Sequence, residues 1–283
     1  MKHFYLIVNR EKRSAEHAAT LISDYLMGRG CICLRDDKIA QGNENYRYTD
    51  KRNVPPETEC VIVLGGDGTV IQASRDLYGL GLPLFGVNTG HLGYLTQVSR
   101  EAEIIPALEE LIHDHYYLET RMMLCGKICP TAPHGREDLA LNEIVIRRMG
   151  MSTMHFSVYV NDQLFNDYAA DGLIVATPTG STAYNLSAGG PIAAPEADLM
   201  ILTPICPHTL NSRSIVLPAE SEISVRIGGR GQGKTAVCFD GEVLAELKPG
   251  DRVDIERSQS RTALIQLKQR PFLENIRIKM KQI

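Results

Sequence analysis

No stretch of this chain approaches the eighteen or so continuous apolar residues of a membrane-spanning helix, so no span is expected. Basic residues hold no excess. Lys+Arg is 30 against 34 Asp+Glu, a formal charge of −4. That balance argues against a general nucleic-acid binder. No two cysteines stand as Cys-x-x-Cys, and their number, seven, is odd. Neither a disulfide framework nor a zinc site is expected. The eight histidines show no metal-ligand spacing, and no Gly-x-Gly-x-x-Gly fingerprint appears. Repeats and low-complexity segments are also lacking. With 43% hydrophobic and 23% charged residues, the composition excludes a disordered, collagen-like or coiled-coil chain. Cys31, Cys33, Cys60, Cys125, Cys129, Cys206 and Cys238 sit mostly in apolar runs, where a free thiol behaves as a small hydrophobe. A reduced, cytoplasmic protein is the default expectation.

What is there is a globular chain of 283 residues, enough for one large or two ordinary domains. Met1–Asn9 is basic and then apolar, too short for a secretory segment, and reads as a first buried strand. Residues 14–28 place Ala15, Ala18, Leu21, Ile22, Tyr25 and Leu26 at helical spacing before a Gly-containing stop. Short apolar strands are expected at 31–34, 60–64 and 83–88. Helices are expected from Val70 to Leu77 and over 101–115, where Ile104, Leu108 and Leu111 share a face. Strands alternating with helices predict a parallel sheet covered on both sides. After about residue 120 the helical period fades. His155–Val160 and Gln163–Phe165 flank Asn161-Asp162, a hairpin signal. Ile223, Val225 and Ile227 alternate with polar residues, as do Val253 and Ile255. This half reads as an all-β sandwich or barrel. The boundaries expected are 1–119 plus 270–283 for the α/β domain and 120–269 for the β domain. The basic tail from Arg270 is expected to return to the first half.

Three polar clusters could carry chemistry. The first, Gly65-Gly66-Asp67-Gly68-Thr69, follows a buried strand and opens a helix. Glycines let backbone turn sharply and approach a ligand, and a helix start aims free N–H groups at a phosphate. Asp67 would stand at the carboxyl end of a parallel strand, where open α/β sheets bind ligands. A carboxylate there could take the proton of a hydroxyl attacking a phosphate. The second cluster runs from Asp171 through Thr177-Pro178-Thr179-Gly180-Ser181-Thr182-Ala183-Tyr184 to Asn185. Its small and hydroxyl residues suit phosphate or ribose, and Tyr184 could stack on a base. It reads equally as a well-capped helix start. The third is Asn142-Glu143 at a strand start, an amide beside a carboxylate, suited to ribose hydroxyls but also to a plain solvated strand end. Residues 228–235 satisfy the P-loop spelling. The expected strand Ala236–Phe239 follows instead of a helix, so this stretch is read as a glycine-rich hairpin loop and not an ATP site. His113 and His115 read as a helix end.

In this order and spacing the chain resembles the bacterial NAD kinases. The resemblance rests on Gly65–Thr69, Val87-Asn88-Thr89-Gly90-His91-Leu92-Gly93-Tyr94-Leu95 and Asn142-Glu143. It continues through Asp171-Gly172, Thr177–Tyr184, Ser187–Pro191, Pro204–Leu210 and Asp240-Gly241. It implies a phosphofructokinase- or Rossmann-like α/β N-terminal domain and an all-β, sandwich-like, NAD-binding C-terminal domain. It also implies a homo-oligomer, dimer or tetramer. The implied reaction is phosphoryl transfer to the 2′-hydroxyl of the adenosine ribose of NAD, giving NADP. Asp67 would be general base. Gly65, Gly66, Gly68 and Thr69 would form the phosphate loop. The resemblance gives NAD contacts to Asp67, Gly68, Asn142, Glu143, Thr153, Ala169, Asp171, Thr182, Ala183, Tyr184, Asn185, Leu186, Ser187 and Asp240. Asn142 and Glu143 would hold ribose and base, Asp171 the nicotinamide end, and Thr182–Tyr184 with Ser187 the adenine. ATP, another nucleoside triphosphate or polyphosphate would be donor. A divalent ion, Mg²⁺, would arrive with the donor rather than in an all-protein cage. The chain departs from the family pattern at Gln72, ahead of Arg75, at Tyr168-Ala169-Ala170 and at Thr153, positions that bear on donor choice and NAD affinity. Two other readings stand beside this one: a lipid or sugar kinase sharing the Gly-Gly-Asp-Gly-Thr motif, and a non-catalytic NADP(H)-binding sensor.

Overall fold

Every residue of Cys60–Leu64 is apolar, and every one is buried. That is the signature of a central parallel strand covered on both faces. The computed structural model of the protein describes residues 1–35, 49–88, 93–131, 135–209, 212–229, 233–268 and 272–280. These fall into two compact units, Met1–Thr120 with Thr262–Ile283, and Arg121–Arg261.

The first unit opens with β1 (His3–Val8), α1 (Arg13–Gly28), β2 (Ile32–Arg35) and β3 (Cys60–Leu64). It continues with α2 (Asp67–Asp76), β4 (Leu84–Val87), β5 (Thr96–Val98) and α3 (Ile104–Ile112). The strand order is β2-β1-β3-β4-β5, all parallel. Ala15, Ala18, Ala19, Ile22 and Leu26 form the buried face of α1 and join Leu6, Ile62, Leu64, Phe85 and the α3 residues Leu108 and Leu111 in one core. Gly30, at φ 76°, ends α1, and the next amide, Cys31 N–H, reaches back 2.9 Å to Leu26 C=O. This is a glycine stop of the Schellman type. The helix after the glycine loop starts at Asp67 rather than at Val70, because extended Gly66 takes the N-cap position and Asp67 faces the positive end of the helix dipole.

The second unit contains β6 (Tyr117–Cys129), β7 (Arg136–Ala140), β8 (Glu143–Arg148), β9 (Met154–Val160), β10 (Gln163–Ala170) and β11 (Gly172–Ala176). After β11 come a 3₁₀ turn (Thr179–Thr182) and α4 (Tyr184–Ser187). Then follow β12 (Leu199–Ile205), β13 (Ile215–Pro218), β14 (Ile223–Ile227), β15 (Thr235–Phe239), β16 (Glu242–Leu247) and β17 (Arg252–Gln266). One antiparallel sheet runs β13-β12-β11-β8-β15-β16. Facing it, β10-β9-β14-β17 pair antiparallel, with β6 on β17 and β7 on β6. Inward residues of both sheets, among them Ile144, Phe156, Val175, Val225, Phe239 and Val253, form a shared core. The alternation expected at Ile223, Val225 and Ile227 is present. Asn161 and Asp162, at φ 50° and 62°, make the hairpin turn expected between β9 and β10.

The glycine-rich stretch after Ile227 is not a hairpin loop. β14 pairs with β9 and β17, whereas β15 pairs with β8 and β16, so the chain changes sheets there. Glycine suits a crossover between layers as well as it suits a tight turn. Residues 230–232 lie outside the described residues. A strand follows, so the P-loop spelling lacks a P-loop context. The last residues of β17 rejoin the first unit, where Leu264 pairs with Leu84, and α5 (Phe272–Met280) closes the described chain. The return to the first unit therefore starts at Thr262, earlier than Arg270. Among the described residues no helix is long and apolar enough to cross a membrane.

Candidate functional site

Within the first unit, β3 delivers Gly65-Gly66 to the head of α2. Gly65 N–H bonds the Val87 carbonyl of the neighbouring strand at 3.0 Å. A Cβ on Gly65 would stand 2.2 Å from Thr69 Oγ1, so only glycine fits. Thr69 itself points inward. It is 3% exposed and its hydroxyl accepts from Asn9 Nδ2 at 3.2 Å, so it supports the loop and does not present a hydroxyl to a ligand. Helix geometry leaves the N–H groups of Asp67 and Gly68 without intrahelical partners. Asp67 has two backbone donors of its own, Tyr94 N–H at 2.6 Å and Leu95 N–H at 3.0 Å. Its carboxylate is packed so closely on Gly93 that a Cβ there would lie 1.8 Å from Oδ1. Gly93 thus matters for a reason that the motif alone does not disclose. Thr89–Leu92, the rest of that block, lie outside the described residues. Lys12 was missed by sequence reasoning. Its ammonium stands 3.6 Å from where a Cβ on Gly66 would be, and no local pattern marks it.

In the second unit, three segments far apart in sequence meet at one corner. β8 begins there with Asn142-Glu143. The β15–β16 turn brings Asp240, held at φ 48°, with Gly241 at φ 87°. Asp240 Oδ1 accepts from Asn142 N–H at 2.7 Å and Glu143 N–H at 3.1 Å, and Oδ2 accepts from Leu141 N–H at 2.8 Å. Its carboxylate is therefore turned onto backbone, and its service to a ligand runs through the shape of the corner. The turn after β11 supplies the third segment. Thr177 N–H bonds Asn142 C=O at 2.8 Å, and Thr177 Oγ1 donates to Leu141 C=O at 2.6 Å and accepts from Gly180 N–H at 3.1 Å. A Cβ on Gly180 would meet Asn142 O at 2.2 Å.

Glu143 is the unusual group of this corner. Its Oε2 is buried without a protein partner. Burial first, and the neighbouring Asp240 charge second, push its carboxyl up to about 8, while the Tyr184 backbone N–H opposes them. A carboxyl held near 8 would be mostly protonated at neutral pH. The sign for stability follows. Across pH 5–8 the folded chain holds a proton that the unfolded chain has released, so stability should fall as pH rises, by at most about 1.4 kcal/mol per unit, and level off above about 8. Denaturant unfolding at several pH values should show this slope in the wild type and not in Glu143→Gln. Equal slopes would mean that the carboxyl is ionised.

The segment Thr182–Ser187 divides by exposure. Tyr184, Leu186 and Ser187 are exposed, and Thr182 and Ala183 are half-buried. Asn185, expected among the ligand contacts, is fully buried. Its amide donates to Ser181 C=O and Pro191 C=O at 3.1 and 3.0 Å and accepts from Thr203 Oγ1 at 2.7 Å. It fixes the segment from inside.

The remaining expected residues stand elsewhere in this unit. Gly172 faces Arg147 and Ala176 faces Glu143 across the β8–β11 pair, so Asp171 is at the far end of β11 from the corner, about 16 Å along the strand. Arg148 grips the Asp171 carboxylate through Nε at 2.6 Å and Nη2 at 3.0 Å and holds it below the usual carboxylate range. Ala169, half-buried on β10, lies opposite His155, and its carbonyl accepts from His208 N–H at 2.9 Å. Thr153 lines a small, open pocket with Arg148, His155, Gly228 and Thr235. Within the unit, Thr153, Ala169 and Asp171 are not brought to the Glu143 corner. The Arg148 partner had no signal beyond its charge. Among the described residues no three His, Cys, Asp or Glu stand together as metal ligands.

Comparison with known proteins decides between the readings. Residues 4–116 match the ATP-NAD kinase N-terminal domain and residues 141–267 the ATP-NAD kinase C-terminal domain. The chain belongs to the NAD kinase family. It is 43% identical to an NAD kinase of Lachnospira eligens, over 99% of this chain and 100% of that one. It is 42% identical to an NAD kinase of Agathobacter rectalis, over 99% of each. In fold it resembles a yeast NADH kinase solved with NADH, with a TM-score of 0.84 and 23% identity over 98% of this chain and 86% of that one. It also resembles an Archaeoglobus fulgidus NAD kinase solved with ATP, with a TM-score of 0.76 and 23% identity over 100% of both. As in the NAD kinase family at large, an α/β domain is followed by an antiparallel β sandwich, and the chain is a kinase.

Proposed function

We propose that this NAD kinase family member transfers the terminal phosphoryl group of ATP to the 2′-hydroxyl of the adenosine ribose of NAD, with Asp67 as general base. Another nucleoside triphosphate, or polyphosphate, is the alternative donor. The observation that carries the reading is the convergence of Asn142-Glu143, Thr177–Tyr184 and Asp240 on one polar corner, tied by at least five hydrogen bonds. A sugar with adjacent hydroxyls suits its donors and acceptors, and exposed Tyr184 suits a purine. The helix-start N–H groups of α2 suit a phosphate. The 2′-oxygen attacks the terminal phosphorus, the bond to the leaving nucleotide's oxygen breaks, and the hydroxyl proton passes to Asp67. Such transition states need positioning and charge neutralisation more than a strong base. Mg²⁺, bound chiefly by donor phosphates and water, would supply the charge neutralisation. In this reading Asp171 serves the nicotinamide end, and Ala169 and Thr153 are further NAD contacts. Seven free thiols suit a reducing cytoplasm. The exposed edge strand β10, with Leu164 and Phe165 bare, suits assembly into a dimer or tetramer.

Incubating the purified chain with NAD, Mg²⁺ and ATP, and detecting NADP with an NADP-specific dehydrogenase, tests the reaction. NADP should form. Formation with polyphosphate alone would change the donor. NAD binding with no NADP from any donor would sink the kinase reading in favour of a sensor.

A further inference from the structure

Resting on the NAD reading above, we propose that Glu143 meets the dinucleotide as a neutral carboxylic acid, donating a hydrogen bond to a ligand oxygen or ring nitrogen, and that Asp240 keeps it in that form. The geometry supplies three reasons. First, Glu143 is 6% exposed and its buried Oε2 has no donor among the described residues, a setting that an ionised oxygen tolerates badly. Second, among the described residues the groups facing it bring no positive charge. The β15–β16 turn presents the Asp240 carboxylate, α4 presents the Tyr184 N–H, and the residue opposite on β11 is Ala176. Among the described residues no lysine, arginine or histidine is hydrogen-bonded or ion-paired to it. Asp240 accepts from three backbone N–H groups, which hold its carboxylate in place beside Glu143. Third, the proposed ligand carries a diphosphate. A second carboxylate at this corner would add like charge, whereas a neutral acid both donates and accepts. The proton stays on Glu143 through binding and no bond is made or broken.

Titration calorimetry of the full chain with NAD from pH 6 to 9 tests this. Affinity should be level at pH 6–7 and weaken above pH 8, approaching tenfold per pH unit. At pH 8, heats in two buffers of different ionisation enthalpy should show proton uptake on binding. Glu143→Ala should bind weakly at every pH. Glu143→Gln, a permanent neutral donor of the same shape, should recover most of that loss and abolish the alkaline weakening. Asp240→Asn should move the weakening to lower pH. Affinity that rises with pH, or proton release on binding, would overturn the proposal. So would tight binding with no pH dependence and no proton exchange, which would leave the NAD reading intact. Absence of NAD binding at any pH would overturn both. The proton count on the wild type needs no variant, so a misfolded substitution does not remove the test.

Discussion

Asp67→Asn should lower kcat for NADP formation by about 10²- to 10⁴-fold, the range typical of a positioned general base, while the Kd for NAD stays nearly unchanged. Asn keeps the size of Asp67 and its place at the head of α2 but cannot take a proton. The structure adds a complication that the motif does not reveal. Asp67 also anchors the backbone of Tyr94 and Leu95, with one oxygen on each N–H. Asn offers one acceptor where two are used, so one amide loses its partner at about 1–3 kcal/mol of stability. Kinetics should therefore be read on protein that thermal unfolding shows to be folded at the assay temperature. Loss of turnover with NAD binding retained, in folded protein, would fit the base. Loss of both together would make Asp67 an anchor for residues 93–95, a role that its tight packing on Gly93 also supports.

Asp240→Ala should destabilise the protein by roughly 3–5 kcal/mol. It orphans three amides at once, those of Leu141, Asn142 and Glu143, and costs of this kind run at about 1–3 kcal/mol each without full additivity. Alanine at φ 48° adds backbone strain. For a unit of this size the midpoint of thermal unfolding should drop by on the order of 10 °C. NAD affinity should fall with it, because the start of β8 loses its template. Asp240→Asn, which retains an acceptor, should cost much less. A drop worth under about 1 kcal/mol in Asp240→Ala would show that water satisfies these amides and that the corner does not depend on the turn.

The α/β half was legible because each of its elements carries its own signal. Cys60–Leu64 is an unbroken apolar run, and 14–28 repeats small and apolar residues at helical spacing. Asn161-Asp162 announces its turn, since both residues tolerate positive φ. The glycine-rich connection misled because glycine marks a change of direction without saying to which sheet the chain goes. The start of α2 at Asp67 was missed because Gly66 caps by its extended backbone and not by a side chain.

For the site, the identities of Asp67, Asn142, Glu143 and Tyr184 were written in the sequence as polar clusters, and Asp240 was marked only by the family resemblance. Their duties were not. Asn185 and Thr69 look like ligand contacts in one dimension, yet each points into the protein, because hydrogen-bond partners such as Thr203 and Asn9 come from distant strands. Nothing local to Asp240 says where its carboxylate points, and only the fold lays it against three amides about a hundred residues away. The strand pattern and the order of elements followed from local spacing, which depends on near neighbours alone, while the family came from the resemblance of the ordered motifs. The buried state of Glu143, the pairing of Asp171 with Arg148 and the cradle of Asp67 were decided by the tertiary structure. Burial and charge are set by whatever packs alongside, and that is fixed only when the chain closes.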